Sequence, residues 1–273
     1  MISVVFSAIN CSETVRAAVL SALKSLGGRG EVLFHLDPSS DDSLEILRGI
    51  SDPRFRLLPT KENLGFAGGL NFAINESKYE LVARMDADDI CLPWRFGLQQ
   101  KIIEELDLEA LYSTALIFGK PVRPFGLMPQ FPTSMGPEEL AVSLIDRNPL
   151  VHPTLLIRKS ALEEIGGYGS SIAEDYELNL ALAVSGKRFM RHWVPTILYR
   201  VHPKQATASM SWSERVFEDE AIKSGVQALR ARLGIRSDAE LEERLGELHK
   251  KRKLLGLERR GVSGIIVRSG RGN

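Results

Sequence analysis

The chain has 273 residues, 44% hydrophobic and 26% charged, with zero formal net charge, a balance that lacks the basic excess a nucleic-acid partner requires. That length suits one large α/β domain with an appendage, or two small domains. Its two cysteines, Cys11 and Cys91, form no CxxC pair and no disulfide framework, and no apolar run approaches bilayer length. The opening MISVVFSAIN lacks a basic leader region and reads as a strand. The expected location is therefore the cytoplasm, with attachment at the inner membrane face left open.

ISVVFS, a short apolar run with β-branched residues, predicts a buried strand. Ser12 is placed to cap a helix over about 13–26, on which Val15, Val19, Ala22, Leu23 and Leu26 recur at helical spacing; Gly27, Gly28 and Gly30 then break it. EVLFHL is a second strand, DPSSDD a turn, and Asp41 or Asp42 a cap for a helix running to residue 47. RFRLLP is a third strand. NLGFAGGLNFAINES opens as a glycine-loosened turn and continues as a helix, and ELVARM is a fourth strand with DADD at its carboxyl end. Strand–helix repeats of this kind give a mostly parallel sheet, and ligands of such sheets bind beyond the carboxyl ends of the strands. The acidic turns at Asp37 and at Asp86, Asp88 and Asp89 both follow strand ends, so they share that edge.

Beyond Phe118, GKPVRPFGLMPQFPTSMGP reads as a long loop of the sort that covers a site. PTLLIR predicts another strand and 159–165 a helix. GGYGSSIAEDYELNLALAVSGKRF predicts a glycine turn and then a helix led by Glu174 and Asp175. RFMRHWVPTILYRVH reads as strand, turn, strand. From Ser213 onward, Ile222, Val226, Leu229 and Leu233, then Leu241, Leu245 and Leu248, predict helices that end in a basic tail. The expected division is a catalytic domain over 1–210, with a donor half to about 110 and an acceptor half after it, and a helical, basic extension over 211–273.

Three aspartates in four positions repel one another unless solvent or a cation offsets their charge. Asp89 also suits a helix cap. Asp86 and Asp88 terminate a buried-looking strand, where two carboxylates suit a hard cation such as Mn2+ or Mg2+. Arg84 is near enough in sequence to neutralise these acids or a bound diphosphate. His35 lies in a strand pattern and reads as a satisfied core histidine, and His152 as a residue that shapes a turn or the acceptor side.

A DxD triplet alone is unspecific. ISVVFSAIN, LDPSSDDSLEIL, DPRFRLLPTKENLGFAGGLNFAIN, ELVARMDADDICLPWRF, NPLVHPTLLIRKSALEEIGGY and AEDYELNLALAVSGKRF occur, however, in the order seen in family 2 glycosyltransferases, which the chain resembles over roughly 1–205. The resemblance implies a GT-A (Rossmann-like) fold, a nucleotide-sugar donor (a UDP-sugar first), Mn2+ or Mg2+, a glycan or lipid-linked acceptor, and inversion at the anomeric carbon. By the same resemblance, Asp86 and Asp88 correspond to the metal-binding DxD pair, with His202 as a further ligand. Asp37 corresponds to the acid contacting the nucleoside, although a single acid followed by Pro38 departs from the usual acidic pair. Asp175 corresponds to the catalytic base with Glu174 beside it, and Asn63 and Asn71 are candidate donor contacts. A base at a helix N-terminus is expected to stay ionised in the helix dipole. No QxxRW follows, which favours single addition over processive synthesis.

Two other functions compete. A haloacid dehalogenase-type phosphohydrolase also places DxD after an apolar strand, and a binding module that has lost turnover would keep the same fold. The C-terminal helices are expected to pack on the catalytic domain, to form a homo-oligomer, or to dock peripherally on anionic lipid.

Overall fold

The computed structural model describes residues 1–119, 128–130, 133–202 and 212–254. Through β4 the chain forms as the periodicity predicts: β1 (Ile2–Ala8), α1 (Val15–Leu26), β2 (Gly30–Leu36), α2 (Ser43–Arg48), β3 (Phe55–Pro59), α3 (Gly65–Asn75) and β4 (Leu81–Arg84), after which β5 (Ile90–Cys91) and α4 (Arg95–Glu105) follow. β1 pairs in parallel with both β2 and β4, and β2 with β3. Alternate residues of β1 enter opposite cores. Val4 and Phe6 pack with α1, whereas Val5 packs with Leu70 and Ala73 of α3. Burial on both faces explains the continuous apolar runs of these strands.

The second half comprises β6 (Ala110–Gly119), β7 (Met128–Gln130), α5 (Pro137–Asp146), a 3-10 turn (His152–Thr154), β8 (Leu156–Arg158), α6 (Lys159–Glu164), α7 (Glu174–Val184) and β9 (Phe189–Val201). The sheet order is β3-β2-β1-β4-β8-β6-β9-β5, with β7 on β6. β8 is antiparallel to β4 and to β6, and β9 is parallel to β6. β1 to β4, β6 and β9 therefore run one way, so the sheet is mostly parallel and the last residues of β4, β6 and β9 share one edge.

Several local expectations need correction. Ser12 caps nothing: α1 starts at Val15, and the Ser12 backbone N–H donates to Asp41 Oδ2. The RFMRHWVPTILYRVH stretch is one strand rather than two. Its pairing with β6 slips where Pro195, which has no N–H for the ladder, faces Thr114, and the slip leaves Trp193 exposed. β6 and α5 carry no sequence assignment above. The expected loop over 119–137 contains β7, although 120–127 and 131–132 lie outside the described residues.

The C-terminal helices are α8 (Trp212–Glu218), α9 (Glu220–Leu233) and α10 (Asp238–Leu254). Ile222 and Leu229 of α9 and Leu241 of α10 join the core containing Leu178 and Leu180 of α7. The extension thus packs on the sheet domain, and its basic tail over 255–273 lies outside the described residues. Among the described residues, no helix is long and apolar enough to cross a membrane.

Candidate active site

β4 delivers Arg84 and the acidic turn to the carboxyl edge of the sheet. Carboxylate oxygens of Asp86, Asp88 and Asp89 lie within 4.8 Å of one another. Asp86 is gripped by a two-pronged guanidinium contact, Arg84 Nη2 to Oδ1 at 2.5 Å and Nη1 to Oδ2 at 2.8 Å. Arg84 is buried and lies over the Phe66 ring, 5.0 Å from its centroid. The cation that offsets the aspartate repulsion is thus partly internal. Asp88 Oδ2 lies 3.2 Å from Nε2 of His202, at the end of β9. The Asp88 backbone carbonyl accepts from Arg200 Nε at 2.8 Å.

Asp89 caps no helix, because the chain passes through β5 before α4 begins at Arg95. It is fully buried, and its Oδ1 accepts from the Arg200 backbone N–H at 2.8 Å. Among the described residues, its buried Oδ2 has no hydrogen-bond partner. Burial, then Asp86 and Asp88, push the Asp89 carboxyl well above the usual range. A buried oxygen without a partner is costly. A hard divalent cation prefers oxygen ligands and would satisfy it, so the donor set fits Mn2+ or Mg2+.

Asp37 is buried at the end of β2, where its Oδ1 accepts from the Leu64 backbone N–H at 2.8 Å and so pins the entry of α3. Asn63 is exposed on that entry and turns its Oδ1 onto the Gly65 N–H at 2.8 Å. Asn71 sits farther along α3 and clamps Tyr168 from both sides, accepting from its N–H at 2.9 Å and donating to its carbonyl at 2.8 Å. His35 bridges Ser7 and Thr60 at 3.1 and 3.2 Å and is fully buried, the satisfied core histidine expected. A Cβ on Gly69 would lie 2.1 Å from His35 Nδ1, so only glycine lets α3 approach this closely.

The second acidic group opens α7. Glu174 and Asp175 occupy its first turn, after the glycine loop that follows α6. Burial, then Asp175, push the Glu174 carboxyl up to about 7. Asp175 is also raised by withdrawal from water, which outweighs the N–H of Tyr176 and the charge of Arg84. The expectation that the helix end alone fixes its charge is therefore too simple. A carboxylate made more basic is the better proton acceptor near neutral pH. Asn148 Nδ2 donates to Asp175 Oδ2 at 2.9 Å.

His152 is the link that the sequence undervalued. Its Nε2 lies 2.7 Å from Tyr168 Oη, its Nδ1 lies 3.8 Å from Glu174 Oε1, and its ring meets Phe66 edge-on at 6.4 Å. Burial, then Arg84, hold its pKa well below the usual value, so the imidazole is neutral. Asp86, Arg84, Phe66, His152 and Glu174 thus form an unbroken run of contacts that joins the two acidic groups. A cleft of about 560 Å³ beside it is lined by Leu64, Phe66, Asn71, Tyr168, Ser171 and Glu174. Tyr168 and Asn148 are faintly marked in the sequence. The only available signals were the glycine turn before Tyr168 and the Asn-Pro step after Asn148.

Comparison with known proteins gives the family and the fold. The profile described as Glycosyl transferase family 2 matches residues 3–166. An uncharacterized glycosyltransferase of Haemophilus influenzae is 33% identical over 132 residues, and the chain spans about half of that protein's length, 48%. The Escherichia coli UDP-Glc:alpha-D-GlcNAc-diphosphoundecaprenol beta-1,3-glucosyltransferase WfaP is 25% identical, over 84% of this chain and 88% of that protein. Among solved structures, S. aureus TarS 1-349 in complex with UDP superposes with a TM-score of 0.64 at 17% identity. It covers 92% of this chain and 71% of the TarS chain, and the likeness is one of fold.

Proposed function

This chain belongs to glycosyl transferase family 2, and from that premise we propose that it is an inverting, metal-dependent glycosyltransferase acting in surface-polysaccharide or glycolipid assembly. It moves a sugar from a nucleotide-sugar donor, a UDP-sugar first, to a hydroxyl of a glycan or lipid-linked acceptor. One observation supports this reading: a run of contacts through Arg84, Phe66 and His152 links the Asp86–Asp89 cluster to Glu174, beside a cleft that Phe66 and Glu174 line.

Asp88 with Asp86, Asp89 and His202 would hold Mn2+ or Mg2+. When bound, such an ion supplies Lewis-acid stabilisation of the negative charge that grows on the departing diphosphate. Arg84 adds a fixed positive charge beside the cluster, in a site where burial strengthens it. Asp37 and Asn63 shape the nucleoside side of the cleft at the entry to α3. Asp175 accepts the proton of the attacking hydroxyl from the face opposite the diphosphate, as inversion requires, a contribution of typically ~10²–10⁴-fold. Glu174, itself raised by burial and by Asp175, lines the cleft on its acceptor side.

The phosphohydrolase reading needs the acidic turn after the first strand of its domain, whereas β1, β2 and β3 precede it here. UDP, UDP-glucose and a GlcNAc-diphosphate-lipid are the first probes, because the E. coli relative is named for the last two and the TarS complex holds the first. Calorimetry should show Mn2+-dependent binding of UDP that Asp88→Ala abolishes, and the wild type should release UDP from UDP-glucose when given the acceptor. Equal UDP affinity with and without Mn2+, or tight binding with no turnover of any nucleotide sugar, would sink this function.

A further inference from the structure

A continuous hydrogen-bond chain runs from the core to Asp175. Tyr112 of β6 donates through its hydroxyl to Asn179 Oδ1 at 2.5 Å. Asn179 Nδ2 donates to Asn148 Oδ1 at 3.2 Å, and Asn148 Nδ2 donates to Asp175 Oδ2 at 2.9 Å. The direction of the chain is fixed by one contact. Asn148 Oδ1 also accepts from the Leu150 backbone N–H at 3.2 Å, and a backbone N–H can only donate. The Asn148 amide therefore cannot be flipped, so its NH2 faces Asp175. Asn179 must then present its NH2 to Asn148 and its oxygen to Tyr112, which leaves the phenol as donor.

Tyr112 and Asn179 are fully buried, and Asn179 lies between Leu178 and Leu180 in the interior of α7. Asparagine is a poor helix former, and a buried amide is tolerated only when satisfied. The helix could have been stabilised more simply by a leucine at that position.

From this geometry we infer that Asn148 is a positioning residue for the base Asp175, with Asn179 and Tyr112 behind it, and that it commits Oδ2 to accepting a hydrogen bond so that the substrate proton arrives on Oδ1. The inference rests on the reading of Asp175 as the base. Arg84 on β4 is the charged group that acts on Asp175, and Asp175 in turn raises Asp86, Glu174 and Tyr176 on α7, Tyr168 in the preceding loop, and Tyr112. Asp146 on α5 reaches only Tyr176. Arg84 is the one cation in this set, so the Asn148 amide supplies a donor that no second charge replaces.

The test uses the full chain and two variants, Asn148→Leu and Tyr112→Phe. Carbon-13 NMR titration of the Asp175 carboxyl needs no substrate. Its midpoint should rise by about one unit in Asn148→Leu, the size of one lost hydrogen bond to a charged group, and by a smaller step in Tyr112→Phe. With UDP-glucose, Mn2+ and the GlcNAc-diphosphate-lipid, the pH at which kcat falls off on the acid side should move up in Asn148→Leu by the same step as the midpoint, with the donor KM unchanged. A merely structural role would lower kcat equally at every pH. An unmoved midpoint in Asn148→Leu, or in Tyr112→Phe should the first variant not fold, overturns the inference. Transfer that survives in Asp175→Asn would sink the base assignment and leave the titration result standing, so the two failures are distinguishable.

Discussion

At the end of β4, three carboxylates crowd beside a buried guanidinium, and one buried oxygen of Asp89 lacks a partner among the described residues. At the start of α7, two adjacent carboxylates are in contact with neutral groups, the Asn148 amide and an uncharged His152. The first group is underneutralised and suits one more positive charge. The second is held basic by burial and oriented by neutral donors, which suits a group that must take up and release a proton. Both are acidic, yet their surroundings assign them different chemistry. That difference can be broken experimentally, because each group should fail in its own way.

The largest expected effect is at Asp175. Asp175→Asn keeps the shape and removes the basic oxygen, so transfer should drop by ~10²–10⁴-fold. Calorimetric affinity for UDP with Mn2+ should be unchanged. Loss of binding in this variant would merge the two groups into one and end the comparison.

Arg84→Met comes next. It removes the partner of Asp86 and leaves a carboxylate unpaired beside Asp88 and Asp89, at a cost of about 3 kcal/mol. Urea unfolding should show that loss, and added Mn2+ should restore more stability to the variant than to the wild type. Equal restoration would mean that Arg84 and the ion do not share a role.

The two groups also differ in how far the sequence revealed them. The acids at β4 follow a four-residue buried run in a series of parallel strands, so periodicity alone placed them on the ligand edge together with Asp37. The second group depends on pairings that no local pattern encodes. ALYSTALIFG fits a helix or a strand equally well until β8 and β9 pair with it, and its buried Ser113 and Thr114 break the apolar signal. β9 is hard to read as one strand, because Pro195 argues against a strand unless a partner slips its register to accommodate it. Helix α5 did carry a legible signal, Pro137 at its first position followed by Glu138 and Glu139. Asn148, His152 and Tyr168 act through contacts across the fold, 16 to 27 residues apart in the chain, and nothing in their neighbours announces a role.

Glu174 provides the next discriminating measurement. Its carboxyl sits at about 7 in the folded chain, against an ordinary 4.5. Between those values the unfolded chain has released a proton that the folded chain still holds. Stability therefore falls as pH rises from about 4.5 to about 7, by on the order of 2 kcal/mol given its partial exposure. Glu174→Gln should flatten that slope in urea midpoints taken between about pH 5 and about pH 8. A slope that persists unchanged would place the titration elsewhere.

The smallest effect concerns what the second group rests on. Asp219 caps α9, its Oδ1 accepting from Ala221 and Ile222 N–H at 2.9 and 3.3 Å, while its Oδ2 accepts from Ile172 N–H at 3.3 Å. Ile172 lies in the loop that leads into Glu174 and Asp175, so this one carboxylate ties the acid pair to the C-terminal helices. Asp219→Ala should cost about 1 kcal/mol as a lost cap and lower transfer a few-fold as the loop loosens, with Mn2+-dependent UDP affinity untouched. If that affinity fell in step with transfer, the C-terminal helices would support the whole cleft rather than its α7 side, and the two acidic groups would be parts of one rigid unit.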